Sequence, residues 1–192
     1  MSSSPRAGRP KATSRDTIAE AACELFLEQG YEQTSVVDVA QRAGVSRSSF
    51  FNYFESKSAI LWAGLDERIA HAGDALAADP ASGATAVRRA LEALGSEFAP
   101  DSLALAFANS EAMGLDDELE REASVRAARL GRVIAARLRA EGMSAVRASV
   151  AGAAHGGAVL AAIESWAHAG AGHVSLADEL RVALDAAAPT LG

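Results

Sequence analysis

Residues 34–57 read TSVVDVAQRAGVSRSSFFNYFESK, and the reading of this stretch decides the fold. Thr34 or Ser35 is placed to cap a short helix that runs to about Ala43, with Val36, Val39 and Ala40 turned inward. Gly44 supplies a left-handed turn that branched residues avoid, and Val45 fills the corner. Ser46 is placed to cap the next helix, on which Phe50 and Phe54, four apart, face a core. Arg47, Ser48, Phe51 and Asn52 are left on its other faces. Two short helices joined by a glycine turn, the second basic, hydroxyl-rich and aromatic, form the pattern of a helix-turn-helix that sets a helix in the DNA major groove.

Working outward, helix one is expected from Ser14, with Ile18, Ala21, Ala22, Leu25 and Phe26 at the i, i+3, i+4, i+7, i+8 spacing of one buried stripe. Gly30 ends it. Pro5, Gly8 and Pro10 oppose helix in residues 1–13, which read as a flexible basic arm carrying Arg6, Arg9 and Lys11. On the other side, Ser56 is expected to cap a long fourth helix, with Lys57 in its first turn. There the helix dipole disfavours a lysine unless a phosphate is shared. Beyond the break at Asp79-Pro80, five further helical segments are expected near 84–98, 101–113, 116–141, 144–169 and 175–187. The fold class is therefore all-α. An N-terminal three-helix unit spans 14–57, and a helical body spans 58–192.

The chain has 192 residues and a net charge of −7, which alone argues against nucleic acid. The distribution reverses that argument. Residues 1–57 hold seven basic and seven acidic groups, whereas 58–192 hold eleven and eighteen. A basic arm before a neutral unit and an acidic body fits a local DNA contact. Cys23 is the one cysteine, so no intrachain disulfide can form and a reducing cytoplasm is expected. The N-terminus lacks the apolar run of a signal peptide, and no 18 apolar residues run uninterrupted, so no membrane partner is expected.

Base-edge reading calls for exposed side chains that hydrogen-bond in the groove, with phosphate contacts fixing register. Arg47 suits a bidentate contact with guanine, Ser48 and Ser49 suit base edges or phosphates, and Phe51 suits a thymine methyl. Thr34, Ser35, Asn52, Tyr53 and Lys57 are placed for phosphate. Elsewhere the residues say less. Trp62, Phe98, Phe107, Met113, His155 and Trp166 fit either a ligand pocket or plain core. Gly152 and Gly156, with Val159 and Ile163 on the same alanine-rich helix, fit either a dimer seam or packing within the chain. Glu164 and His168 would need a third ligand to hold a metal; no metal, cofactor or catalytic constellation is expected.

GRPK, helix one and TSVVDVAQRAGVSRSSFFNYFESKSAIL together resemble the DNA-binding domain of the TetR family of bacterial transcriptional regulators over about residues 14–62. The resemblance implies a homodimer on double-stranded DNA, with base reading by Arg47, Ser48, Ser49 and Phe51 and phosphate contact by Thr34, Ser35, Asn52, Tyr53 and Lys57. It implies a pocket for a small-molecule effector in the body and tips Gly152, Gly156, Val159 and Ile163 toward the dimer seam. The family usually carries tyrosine at position 51, so Phe51 lacks that hydroxyl. The expected function is a ligand-responsive regulator, a repressor released by a lipophilic effector. The alternative is an α-helical small-molecule-binding protein or enzyme that does not bind DNA.

Overall fold

The first amphipathic run forms helix α1 (Ser14–Gln29), and all five residues of its expected stripe are buried. The structure is a computed structural model that describes residues 14–96, 98, 101–170 and 173–192, so the arm with Arg6, Arg9 and Lys11 lies outside the described residues. Every regular element among the described residues is helical.

Helix α2 (Val36–Arg42) starts at Ser35, whose hydroxyl accepts from the Asp38 N–H at 3.2 Å while Asp38 accepts from the Ser35 N–H at 2.8 Å. This reciprocal box satisfies two N–H groups that a helix start leaves orphaned. Gly44 follows α2 at φ 68°. Helix α3 (Arg47–Phe51) is capped by Ser46, which accepts from the Ser49 N–H at 3.0 Å. Phe50 and Phe54 are buried with Ile18, Ala22, Phe26, Val39 and Ala40, forming the core of a three-helix head. A fully buried phenylalanine contributes about 1.5–3 kcal/mol.

Helix α4 (Ala59–Ala78) leads from head to body. It starts later than the sequence reading expects. Ser56 still accepts from the Ala59 N–H at 3.0 Å, but Lys57 precedes the helix instead of entering its first turn. The body continues with α5 (Gly83–Leu94), α6 (Ser102–Ala108), α7 (Ser110–Met113), α8 (Asp116–Ala140), α9 (Ala145–His168) and α10 (Leu176–Ala187), closed by a 3-10 turn at Ala188–Leu191. The single helix expected over 101–113 is broken at Asn109, whose φ of −129° leaves the helical region. Its side-chain amide donates to the Leu105 carbonyl at 2.9 Å, the local competition that makes asparagine a poor interior helix residue.

The main contact of the body is the crossing of α8 and α9, and it overturns the dimer-seam assignment. A Cβ on Gly152 would collide with the Gly131 carbonyl of α8, and one on Gly156 would collide with the Ala127 carbonyl. A Cβ on Gly131 would come within 2.9 Å of the Gly152 oxygen. These glycines let two backbones of one chain touch, and Val159 and Ile163 are buried beside them in the same chain. Helix α9 is apolar and long enough to cross a membrane by length and composition, but 50% of that stretch is buried by its own neighbours.

Between α4 and α8 the body buries a charge. Arg126 lies on the inner side of α8 and is buried. It donates to Asp66 of α4 at 2.7 Å and to Glu122 at 2.6 Å, and its guanidinium sits 4.3 Å from the centroid of Trp62.

Candidate nucleic-acid interface

Capping and the glycine turn leave one face of α3 in solvent. Arg47, Ser48 and Asn52 are exposed there, as are the rings of Phe51 (45%) and Tyr53 (46%), while Ser49 is half-buried. The Arg47 guanidinium lies 5.6 Å from the Phe51 centroid, and no ion pair ties it to a carboxylate among the described residues. The hydroxyls of Ser48 and Ser49 both hydrogen-bond with the cap hydroxyl of Ser46, at 2.9 and 2.8 Å. Ser35 is exposed at the start of α2, where its hydroxyl donates to Asp38 at 2.6 Å. That hydroxyl and its own N–H hold the Asp38 carboxyl below the usual range. Val37, 52% exposed beside Ser35, is a member of this surface that the sequence reading passed over. With Val36, Val39 and Ala40 inward, helical spacing already sends Val37 outward.

Two expected phosphate contacts turn inward instead. Thr34 is buried; its hydroxyl donates to the Gly30 carbonyl at 2.8 Å and its N–H to the Tyr31 carbonyl at 3.1 Å, closing the turn after α1. Lys57 donates to the carbonyls of Tyr31 and Thr34, the latter at 2.9 Å, and its ammonium sits 3.8 Å from the Tyr31 centroid. Partial burial pushes the Lys57 ammonium below the usual lysine range. A cation that gains two carbonyls and a ring by folding back has reason to leave the surface.

Two further cations of the head are also tied down. Arg42 makes a two-point pair with Glu28 at 2.9 and 2.6 Å and reaches Glu24 at 3.3 Å; Arg15 pairs with Glu67 at 2.6 Å. The head is joined to the body through Tyr31, whose N–H donates to the Met113 carbonyl at 2.7 Å and whose hydroxyl donates to Glu118 at 3.2 Å.

The six expected pocket residues do not share a cavity. Trp62 packs edge-on to Phe107 at 5.9 Å and Phe98 to Trp166 at 5.4 Å, while Met113 is buried at the joint with the head. The four rings thus form two pairs rather than one lining. Phe107 also borders a cleft of about 590 Å³ between α6, α8 and α9, which Glu164 and His168 line as well. His155 faces a different cleft, against α5 and α10. Among the described residues no three histidine, cysteine, aspartate or glutamate side chains converge as a metal site.

A three-helix head that shows a polar and aromatic helix after a glycine turn, carried by a helical body, defines a helix-turn-helix protein of two-part all-α design. The family described as bacterial regulatory proteins, tetR family, matches residues 18–63. The chain is similar to the HTH-type transcriptional regulator EthR of Mycolicibacterium smegmatis, 32% identical over 120 residues covering 60% of this chain and 55% of the relative. It is also similar to the putative mycofactocin biosynthesis transcriptional regulator MftR of Mycobacterium tuberculosis, 38% identical over 65 residues covering 34% of this chain and 33% of the relative. The chain thus matches about a third to about half the length of these curated relatives. Over 90% of this chain and 92% of the other, the fold matches Thermus thermophilus FadR, a TetR-family transcriptional repressor in complex with lauroyl-CoA, at 27% identity and a TM-score of 0.54. Residues 18–63 thus carry the N-terminal domain of the tetR family of bacterial regulatory proteins, on a chain whose fold matches that of a TetR-family repressor.

Proposed function

We propose that the chain is a transcriptional repressor that binds a palindromic operator as a homodimer, in the cytoplasm, and is released by a small lipophilic effector. The observation that carries this reading is the solvent-exposed face of α3, on which Arg47 lies over Phe51 with no carboxylate partner among the described residues. In this reading Arg47 takes a guanine by two hydrogen bonds, Ser48 and Ser49 exchange their bond to Ser46 for base edges or phosphate, and Phe51 meets a thymine methyl. Ser35, Asn52 and Tyr53 meet phosphates, and Val37 packs beside them. Arg15, Arg42 and Lys57 are held within the fold, so Arg6, Arg9 and Lys11 of the arm supply most of the charge that displaces counterions.

For the dimer we infer a surface other than the buried glycines. Val146, Val150, Ala153, Gly157 and Ala161 run along the open side of α9, and Val182 is exposed on α10. A second copy laid on this face would cover small and apolar side chains and set two α3 helices about 34–36 Å apart, or a near multiple. Similarity to a repressor solved with lauroyl-CoA supports an effector with an apolar body. Effector binding in the body reaches the head through α4 and the Tyr31 joint, by favouring a dimer of different spacing.

The test is a gel shift of the purified chain on the DNA upstream of its own gene, against competitor DNA, at two salt concentrations. Selective, salt-sensitive binding is expected. Binding without sequence preference would remove the operator reading and favour a helical ligand-binding protein.

A further inference from the structure

We infer that the cleft between α5, α9 and α10 is a binding site for a small, mostly apolar molecule that donates one hydroxyl or N–H to His155. This inference rests on the ligand-responsive reading above and names the site and ligand class for it. The cleft encloses about 430 Å³, within the ~300–1,000 Å³ span of small-molecule sites. Ala84, Leu184, Ala188 and Leu191 give it apolar walls, and His155 of α9 lies at its base, only 2% exposed.

The hydrogen bonding of His155 fixes what the site accepts. Nδ1 lies 2.9 Å from the Ala151 carbonyl oxygen. A carbonyl only accepts, so Nδ1 carries the hydrogen, and in a neutral ring Nε2 is left with a lone pair. Burial pushes the imidazole below its usual range, which keeps the ring neutral near pH 7. No described side chain donates to Nε2. His155 Nε2 is therefore an acceptor left without a donor at the base of the cleft, whereas the polar residues of its rim are engaged with each other or with neighbours: Thr85 accepts from Ser82 at 3.2 Å and Glu92 pairs with Arg88.

The charges at its rim do not ask for an anion. Arg88 is paired with Glu92 at 2.8 Å and Asp185 at 2.6 Å, and Arg89 with Asp79 at 2.7 Å. Compensated guanidiniums offer a carboxylate or phosphate little net attraction. The same rim gives the site a mechanical connection. Asp79 is the C-cap of α4, the helix that leads to the DNA-binding head, and Arg89 holds it from α5. A ligand seated against α5 therefore touches the tie between α5 and α4.

The experiment is calorimetric titration of the full chain with 4-butylphenol and with 4-butylanisole, which has the same apolar body but no donor. The wild type is expected to bind the phenol about tenfold more tightly than the ether. His155→Leu should bind both alike, and Ala84→Trp, placed at an exposed position of the wall, should bind neither. In a 15N spectrum of the histidine rings, the His155 Nε2 resonance should begin in the unprotonated range and move on adding the phenol. Equal binding of phenol and ether by the wild type, no binding of either, an unmoved Nε2 resonance, or phenol binding unaltered in both variants would overturn the inference. The upstream-DNA gel shift on the same preparation separates the two claims. Selective DNA binding without phenol binding defeats the cleft alone, and phenol binding without selective DNA binding defeats the regulator reading alone.

Discussion

Gly44 in the head and Gly152 with Gly156 in the body show two different uses of the same residue. Gly44 sits at φ 68° with nothing near its missing Cβ, so what matters there is the backbone turn. Gly152 and Gly156 have ordinary helical backbone, and what matters is the carbonyl of another helix where a Cβ would be. The first requirement is local and is met within a few residues of chain. The second exists only after residues some twenty-five apart have come together. The whole molecule divides along this line: the head is specified by caps, turns and outward faces, the body by close approaches and buried pairs.

The largest effect that tests this division should come from Gly156→Val. It places methyl groups against the Ala127 backbone and should lower stability by about 3 kcal/mol or more, the upper range of overpacking. Gly157→Ala, one residue on and facing open space, should leave the fold as stable or gain about 0.5–1 kcal/mol from helix propensity. Urea unfolding of the two variants checks this, and equal losses would mean that the α8–α9 crossing is not as close as described.

Arg126→Ala should be next in size. It leaves Asp66 and Glu122 facing each other without their cation, and breaking such a mostly buried pair costs about 3 kcal/mol. Thermal unfolding should show a drop of several degrees, and recovery in the double variant Arg126→Met with Asp66→Asn would confirm the cause. An Arg126→Ala protein as stable as the wild type would contradict the buried-pair description.

Lys57→Ala separates a structural lysine from a phosphate contact. Loss of its bonds to the Tyr31 and Thr34 carbonyls should lower stability by about 1–3 kcal/mol. The slope of DNA affinity against salt should stay unchanged. Arg9→Ala in the arm should do the reverse, keeping stability and reducing that slope by about one.

The smallest expected effect is the response of the α2 cap to acid. Asp38 titrates below its ordinary carboxylate value, so the cap's contribution is full above that value and is lost as pH falls through the lower folded one. Asp38→Asn should flatten the pH dependence of stability below about pH 4. An unchanged acid profile would remove Asp38 as its cause.

The same division decides what was legible in the sequence. Ser35, Gly44 and Ser46 announce the two head helices because each acts on residues within four positions, and the stripe from Ile18 to Phe26 announces α1 by period alone. Exposure on α3 follows once Phe50 and Phe54 are placed inward. Lys57 misled because its partners, the Tyr31 and Thr34 carbonyls, lie more than twenty residues back along the chain. Thr34 bonds to Gly30 within four positions, but its burial depends on how the turn after α1 packs against the rest of the head. In the body, helix limits came within a few residues from glycines and prolines, apart from the break at Asn109. The partners of Gly152, Arg126 and His155 could not be read, since spacing on one helix does not say which face meets another part of the same chain and which meets a second copy.

The most direct measurement of the central claim compares wild type and Arg47→Ala on upstream DNA and on a scrambled duplex over a range of salt concentrations. The wild type should prefer the upstream DNA, and Arg47→Ala should lose about 1–3 kcal/mol of that preference while keeping most of its affinity for the scrambled duplex. A wild type without preference, or an Arg47→Ala protein that keeps the full preference, would contradict the assignment of α3 as the reading helix.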